Sequence, residues 1–249
     1  MVNGVQKFRE YFSDYKDQYV LIGGTACDVN MSEVNADFRT TKDLDIVLIT
    51  EALTQEFSAK FWEFIKDGKY ENRRKSNGKP QFYRFDKPKN EEFPYMLELF
   101  ARGEFVYEEP LRCIPLYMGE ELSSLSAILL NKEYYEMLVN GRIEIDGLIV
   151  LTTVCLIPFK AKAWLNLMEG RKQEREIDLS DIKKHKNDII RLASILSGNE
   201  RIDLSSGVAA DMKEFIKRFE DEKIDLKSLG IKRLSREKIF EMLKKTYII

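Results

Sequence analysis

Residues 39–49 read RTTKDLDIVLI, a strongly apolar strand with two aspartates where it begins. In a strand, residues two positions apart point to the same face, so Asp43 and Asp45 present their carboxylates side by side while Leu44 faces the other way. Two ionised carboxylates this close repel each other unless a proton or a cation lies between them. The pattern therefore predicts a cation site at the start of a buried strand.

A second apolar run, which ends in a glycine pair, precedes this strand. YVLIGG, residues 19–24, predicts a short buried strand, and the apolar spacing after it predicts a helix that begins just after Thr25. Glycines let backbone N–H groups approach phosphates closely, and a helix N-terminus favours anions. The sequence therefore predicts a phosphate cradle at Gly23 and Gly24, with the Thr25 hydroxyl as a further donor.

A third buried strand is predicted at residues 94–102, PYMLELFAR, and it carries one acid, Glu98. A lone acid inside an apolar strand is costly unless it has a partner. If this strand lies beside that of Asp43 and Asp45, the three carboxylates form an all-oxygen site that suits Mg²⁺ and is able to hold two metal ions. The alternative is a functionless D-x-D at a strand end, with Glu98 in a salt bridge to an arginine.

The order of these features resembles a known signature. LIGGTA followed by RTTKDLDIVL is similar to the DNA polymerase β-type nucleotidyltransferase superfamily, with a glycine turn, a helix and then Asp-x-Asp on the next strand. The R-x-T-x-D-x-D form, here Arg39, Thr41, Asp43 and Asp45, most resembles the AbiEii-type nucleotidyltransferases, toxins of type IV toxin–antitoxin systems. The resemblance implies a nucleotide site that includes Arg39 and Thr41, and Mg²⁺ or Mn²⁺ at Asp43, Asp45 and Glu98.

Two predicted helices, near residues 154–169 and 179–197, carry further candidates. Lys160 borders the apolar stripe of the first helix and is a candidate to reach a triphosphate, whereas Lys162 points farther away. The family pattern is K-x-x-A and then R-D-x-x-D-L one helix later. By this resemblance Lys160 joins the catalytic residues, and Lys184, His185 and Asp188 join the nucleotide site, with His185 where the family has aspartate.

Other interpretations of these two helices stay open. The lysines suit a solvated helix face, and the histidine suits a structural position. His185 titrates near neutrality when exposed, so it is a candidate for a pH-sensitive contact, while a simple hydrogen-bonding role fits equally well. Asp188 is expected to orient Lys184 or the ring of His185 and not to bind metal.

The whole pattern predicts an α+β fold, a nucleotidyltransferase-like mixed sheet flanked by helices, with a mainly helical C-terminal domain. Residues 1–118 form the predicted nucleotidyltransferase domain, and residues 119–249 complete the cleft. Further elements are expected as follows: helices at 5–17, 54–67 (capped by Thr54), 208–221 and 235–246 (capped by Ser235), a hairpin at 69–86 that turns at Asn77-Gly78, and a hairpin at 141–151.

Composition indicates an ordinary soluble protein. Acidic and basic residues nearly cancel, at 42 against 40, so net charge predicts neither nucleic-acid nor membrane binding. No signal peptide or membrane-spanning run is recognisable, and the three cysteines form no CxxC pair, which favours buried free thiols and a cytoplasmic location.

The predicted activity is the metal-dependent transfer of a nucleoside monophosphate from a nucleoside triphosphate (NTP) to an unknown acceptor. By resemblance the acceptor is an RNA end, such as a tRNA acceptor stem, or a protein hydroxyl, and the partner is an antitoxin protein. Hairpin residues could contact RNA or simply be solvated: Arg73, Arg74, Lys75, Lys79, Phe82 and Tyr83.

The main alternative is a catalytically inactive protein of the same fold that binds or regulates. Two other enzyme classes fit less well. A restriction-type nuclease needs a lysine that MLELF lacks, and GGTACD lacks the spacing of a dinucleotide-binding fingerprint.

Overall fold

A computed structural model describes residues 2–74, 80–101, 128–129, 131–174 and 177–248. Within these ranges the fold is α+β, with one seven-stranded mixed sheet flanked by helices. The strands are β1 (Tyr19–Ile22), β2 (Asp43–Leu48), β3 (Glu71–Arg74), β4 (Pro80–Asp86), β5 (Met96–Ala101), β6 (Arg142–Ile145) and β7 (Leu148–Leu151). The helices are α1 (Val5–Tyr11), α2 (Gly23–Glu33), α3 (Gln55–Gly68), α4 (Lys132–Asn140), α5 (Thr153–Lys172), α6 (Leu179–Ser194), α7 (Ser206–Phe219) and α8 (Arg236–Tyr247).

The strand order is β3-β4-β5-β2-β1-β7-β6, so the strand with the two aspartates lies at the centre of the sheet. β2 pairs antiparallel with β1 and parallel with β5. Because β1 runs against β2, the glycine turn at the end of β1 meets the aspartates at the start of β2. The expectation that YVLIGG and DLDIVLI are neighbouring strands is confirmed.

The strand β7 brings the C-terminal part of the chain to the edge of the sheet at which β1 ends in the glycine turn. It pairs parallel with β1, with Leu21 opposite Val150, so α2 and α5 both begin just beyond this edge. α5 and α6 pack together, and both contact α2. This topology explains how Lys160 and His185, distant along the chain, come close to Asp45.

Residues 119–249 therefore contribute two strands to the sheet in addition to their helices. The hairpin expected at 141–151 is present, and its turn residues Asp146 and Gly147 both have positive φ. The expected boundary near residue 118 and the expected turn at Asn77-Gly78 both lie outside the described residues.

Aromatic residues fill the core beside α3. Phe57, Phe61 and Phe64 of α3 contact Phe12, the residue that follows α1, and Phe8 of α1 packs edge-on against Phe64. These side chains are buried, as their helical spacing indicates. This packing holds α3 against α1.

Local signals place several helix ends correctly. Thr54 caps α3 by accepting a hydrogen bond from the backbone N–H of Phe57, and Ser235 caps α8 by accepting one from Lys238. Two expectations are wrong. The first helix ends at Tyr11 and not near residue 17, and α2 begins at Gly23 itself and not after Thr25. Gly23 starts α2 directly because its φ of +65° turns the chain out of β1.

Two of the three cysteines, Cys27 and Cys155, are buried free thiols, as expected. Burial raises the pKa of the Cys27 thiol to about 12, so this cysteine stays protonated and unreactive. Cys113 lies outside the described residues.

Candidate functional site

A cavity of about 390 Å³ opens beside the first residues of β2, between the sheet and the helices α5 and α6. Most of the residues predicted for the site line this cavity: Gly23, Gly24, Thr41, Asp43, Asp45, Glu98, Lys160, Lys184 and His185. Apolar side chains complete the wall, among them Phe159 and Leu167 of α5. The volume falls in the range of small-molecule sites, and the mixture of apolar walls with a few polar groups is typical of them.

The register of the central strands brings the acids together. Asp45 lies directly opposite Glu98 in the parallel pair of β2 and β5, and Asp43 precedes Asp45 by two residues on the same face. Leu44, which faces the other way, is fully buried. The acids at the start of the strand therefore face a cavity, and the apolar residues between and after them face the core.

Burial and the neighbouring carboxylates change the protonation of Asp45. Burial, the charge of Glu98 and the charge of Asp43 raise the Asp45 pKa to about 7, and Lys160 opposes this rise. A cation bound near Asp45 would remove this repulsion, because opposite charge favours the ionised carboxylate.

Glu98 already has a cationic partner. Its Oε1 accepts a charged hydrogen bond from Nη2 of Arg84, which lies directly opposite Glu98 in the antiparallel pair of β4 and β5. The Arg84 side chain is 26% exposed and that of Glu98 is 16% exposed. The salt bridge to an arginine that the sequence left open is therefore formed.

The donor set fits a hard cation only in part. All the acidic donors are carboxylate oxygens, as Mg²⁺ and Mn²⁺ prefer, and the repulsion at Asp45 favours cation binding. Within the described ranges, however, no group of three or more His, Cys, Asp or Glu side chains is arranged to hold a metal ion. Asp43, Asp45 and Glu98 all line the cavity, and a metal site made by the three carboxylates stays a prediction.

The glycine turn holds Asp45 closely. An ideal Cβ on Gly23 would lie 1.7 Å from Oδ2 of Asp45, and one on Gly24 would lie 2.5 Å from Oγ1 of Thr41. Only glycine leaves room for these contacts. The two glycines therefore fix the start of β2 as well as lining the cavity.

Thr25 does not line the cavity. It is buried, and its hydroxyl donates to the backbone carbonyl of Asp43 over 2.8 Å. This hydrogen bond ties α2 to β2, so the expected role of the hydroxyl as a phosphate donor is replaced by a structural one.

A buried ionic cluster lies behind the cavity and centres on Asp188, which has no exposed surface. Arg39 donates from Nε to Oδ1 and from Nη2 to Oδ2 of Asp188, both over 2.8 Å, and Nζ of Lys160 donates to Oδ2 over 3.0 Å. Burial opposes the charge on Asp188, but Lys160 and Arg39 outweigh it and lower its pKa to about 2. Asp188 therefore orients Lys160 and Arg39, and the expected partnership with Lys184 or His185 is wrong.

Lys160 keeps its positive charge in this environment. Burial alone would favour the neutral amine, yet Asp188 more than offsets this effect and raises the pKa of Lys160. The lysine is 6% exposed and lines the cavity, so it supplies a fixed positive charge next to the acids.

His185 lies at the cavity wall on α6 and is neutral. Burial and the charge of Lys160 lower its pKa to about 3, although Asp188 opposes the shift. Its Nδ1 is buried without a hydrogen-bond partner among the described residues. The lowered pKa argues against a pH-sensitive contact near neutrality, and a hydrogen-bonding role stays a prediction.

Arg84, Phe159 and Asp181 are among the lining residues that sequence reasoning did not place at the site. Arg84 is recognisable only through the register of β4 against β5, although the lone acid in MLELF already called for a cationic partner. Phe159 resembles any core aromatic in an apolar run. The side chains of the proposed RNA-contacting hairpin residues Arg73, Arg74, Lys75, Lys79, Phe82 and Tyr83 lie outside the described part of the structure.

Comparisons with known protein families, curated proteins and solved structures find no match. Among the helices that the structure describes, none combines the length and apolar character needed to cross a membrane.

Proposed function

We propose that this protein is a metal-dependent nucleotidyltransferase that moves a nucleoside monophosphate from an NTP onto an acceptor hydroxyl. One observation carries the proposal: a glycine turn, two aspartates, a glutamate and a buried lysine, from four separate elements, line the same cavity. Acids that repel one another beside a fixed positive charge are typical of a site for phosphate chemistry. The resemblance of the motif order to nucleotidyltransferases supports the same conclusion.

In the proposed reaction, the acceptor oxygen forms a bond to the α-phosphorus of the NTP while the bond from that phosphorus to the bridging oxygen breaks. Pyrophosphate leaves, and the hydroxyl proton passes to a carboxylate of the acidic cluster, which consists of Asp43, Asp45 and Glu98. Asp43 and Asp45 would hold Mg²⁺ or Mn²⁺, and the cation would supply charge stabilisation at the transferring phosphate.

The chain's own residues have distinct tasks in this proposal. Lys160 offsets negative charge on the triphosphate. Asp188 holds the ammonium group of Lys160 in one position, because Oδ2 of Asp188 accepts a hydrogen bond from Nζ of Lys160 over 3.0 Å. Lys184 adds a second positive charge from α6. The apolar wall at Phe159 and Leu167 excludes water and suits the flat ring of a base.

The acceptor is proposed from the family resemblance. An RNA end such as a tRNA acceptor stem and a protein hydroxyl are the two candidates, and an antitoxin protein is the proposed partner. A role as a toxin follows from the same resemblance.

A second candidate function is a catalytically inactive binding or regulatory protein of the same fold. The ion pairs favour it, because Glu98 is bound by Arg84, and Lys160 and Arg39 are both bound by Asp188. Such a protein would bind a nucleotide without reacting with it.

Incubation of the protein with each α-labelled NTP, Mg²⁺ and either total RNA or cell lysate separates the candidates. A transferase moves the label onto a macromolecule, and nuclease digestion or protease digestion then identifies the acceptor. Binding of an NTP by equilibrium dialysis with no label transferred would favour the binding protein. Degradation of RNA with Mg²⁺ alone would identify a nuclease instead.

A further inference from the structure

Arg84 forms an ion pair with Glu98, the carboxylate that a two-metal site would use in addition to Asp43 and Asp45. The register aligns Arg84 with Glu98 across β4 and β5, and Glu98 with Asp45 across β5 and β2. Neighbouring strands are about 4.8 Å apart, so the three side chains form one row on the same face of the sheet. Along this row the Arg84 guanidinium group is followed by the Glu98 carboxylate and then by the Asp45 carboxylate.

The ion pair uses the carboxylate that a two-metal site would require. Nη2 of Arg84 contacts Oε1 of Glu98, and Glu98 lies directly opposite Asp45. The guanidinium group cannot lose its proton in a protein, so it neutralises Glu98 at every working pH. A divalent cation beside Glu98 would have to displace Arg84 or tolerate its charge at close range.

Asp43 lies outside this pairing. It is two residues from Asp45, opposite Met96 and not opposite Glu98, and it lines the cavity. Asp43 and Asp45 therefore keep carboxylate oxygens for one cation, while Glu98 is already neutralised. Within the described residues, no group of three or more His, Cys, Asp or Glu side chains is arranged to hold a metal ion.

We propose that Arg84 serves as a built-in cation at the third carboxylate, so that the cavity takes one divalent cation, at Asp43 and Asp45, instead of two. Arg84 is thus a positioning residue, which holds Glu98 away from the metal. This inference rests on the proposed function, because it assumes that the acidic cluster binds a divalent cation.

The number of bound Mn²⁺ ions tests the inference without measuring activity. The full chain is titrated with Mn²⁺ alone, and the free ion is counted from its electron paramagnetic resonance signal. The wild-type protein is expected to bind one Mn²⁺, and Arg84→Gln is expected to bind two, because Glu98 becomes available. Arg84→Lys keeps the charge and is expected to bind one.

Two further variants keep the test decisive. Arg9→Gln removes an arginine that pairs with Asp146 outside the cavity, and it should also bind one Mn²⁺. The double variant Arg84→Gln with Glu98→Gln leaves no buried charge unpaired, so it should fold even if Arg84→Gln does not. It is expected to bind one Mn²⁺ with an affinity within about threefold of the wild type, because the pair it replaces has no net charge.

Three results would overturn the inference: two ions bound by the wild type, one ion bound by a folded Arg84→Gln variant, or loss of binding in the double variant. Failure of the proposed function has a different signature. In that case the wild type shows no saturable Mn²⁺ binding, or it shows binding that Asp45→Asn does not remove.

Discussion

Single residues at the glycine turn control the geometry of the cavity. A Cβ at Gly24 would lie 2.5 Å from Oγ1 and 3.1 Å from Cβ of Thr41, so Gly24→Val must displace Thr41 and the start of β2. We expect NTP affinity, measured by calorimetry, to fall by about tenfold or more, which corresponds to about 1.4 kcal/mol. Combining Gly24→Ala with Thr41→Gly should restore part of the affinity lost in Gly24→Ala. Unchanged affinity in Gly24→Val would place the nucleotide elsewhere.

His185, the only histidine of the chain, gives an unambiguous signal in nuclear magnetic resonance. Its pKa is lowered to about 3 by burial and by Lys160, with smaller contributions from Lys184 and Arg39 and an opposing one from Asp188. We expect no change in the imidazole carbon-bound proton shifts between pH 8 and pH 5. A midpoint near 6.5 would show that the ring is not buried as described.

The same shift of His185 affects stability. The unfolded chain takes up this proton below its ordinary pKa of about 6.5, whereas the folded protein does not, so stability is fully present above pH 6.5 and is lost as pH falls towards 3. The expected slope is about 1.4 kcal/mol per pH unit for one proton. His185→Gln should remove this part of the slope in denaturant unfolding. Asp45, whose pKa is raised, contributes a slope of opposite sign in the wild type and in His185→Gln alike. Its contribution therefore cancels when the two slopes are compared.

Helix α5 is held by two Asp–Lys pairs that differ in burial, and the difference predicts their energies. Asp188, fully buried on α6, pairs with Lys160, whereas Asp211 on α7 pairs with Lys162 and is 24% exposed. Asp188→Asn leaves the buried Lys160 and Arg39 without their anion, and we expect it to lower the free energy of unfolding by about 3–5 kcal/mol. Asp211→Asn is the matched control and should cost about 1 kcal/mol or less. If urea titrations show equal losses of unfolding free energy for the two variants, Asp188 is not the buried ionic partner of Lys160 and Arg39.

The elements divide into those that local sequence could predict and those that it could not. Asp43, Asp45 and the glycine turn form a local motif, and the caps Thr54 and Ser235 are local signals as well. The pairing of Arg39 with Asp188 joins residues 149 positions apart, so only the packing of α6 near β2 creates it. The partner of Glu98 depends on strand register, which no single segment specifies.

At the scale of the whole molecule, one sheet and one continuous core join the two halves of the chain. The two tryptophans report on them separately, because Trp62 lies in α3 and Trp164 in α5. We expect the urea transitions of Trp62→Phe and Trp164→Phe, followed by fluorescence, to coincide after correction for any change in overall stability measured by circular dichroism. Fluorescence and dichroism midpoints that differ within one variant would indicate independently folding domains.

The central proposal, nucleotidyl transfer at the acidic cluster, is tested most directly by comparing label transfer from α-labelled NTP by the wild type and by Asp45→Asn. Asp45 lines the cavity between Gly23 and Glu98, and its replacement removes a charge while keeping the shape of the side chain. We expect the wild type to transfer label to a macromolecule, and the variant to lose about a thousandfold or more of the rate while keeping its circular dichroism spectrum, since metal-assisted charge stabilisation contributes several kcal/mol. A wild type that transfers no label from any of the four NTPs, or a loss of less than about tenfold in Asp45→Asn, would contradict the proposal.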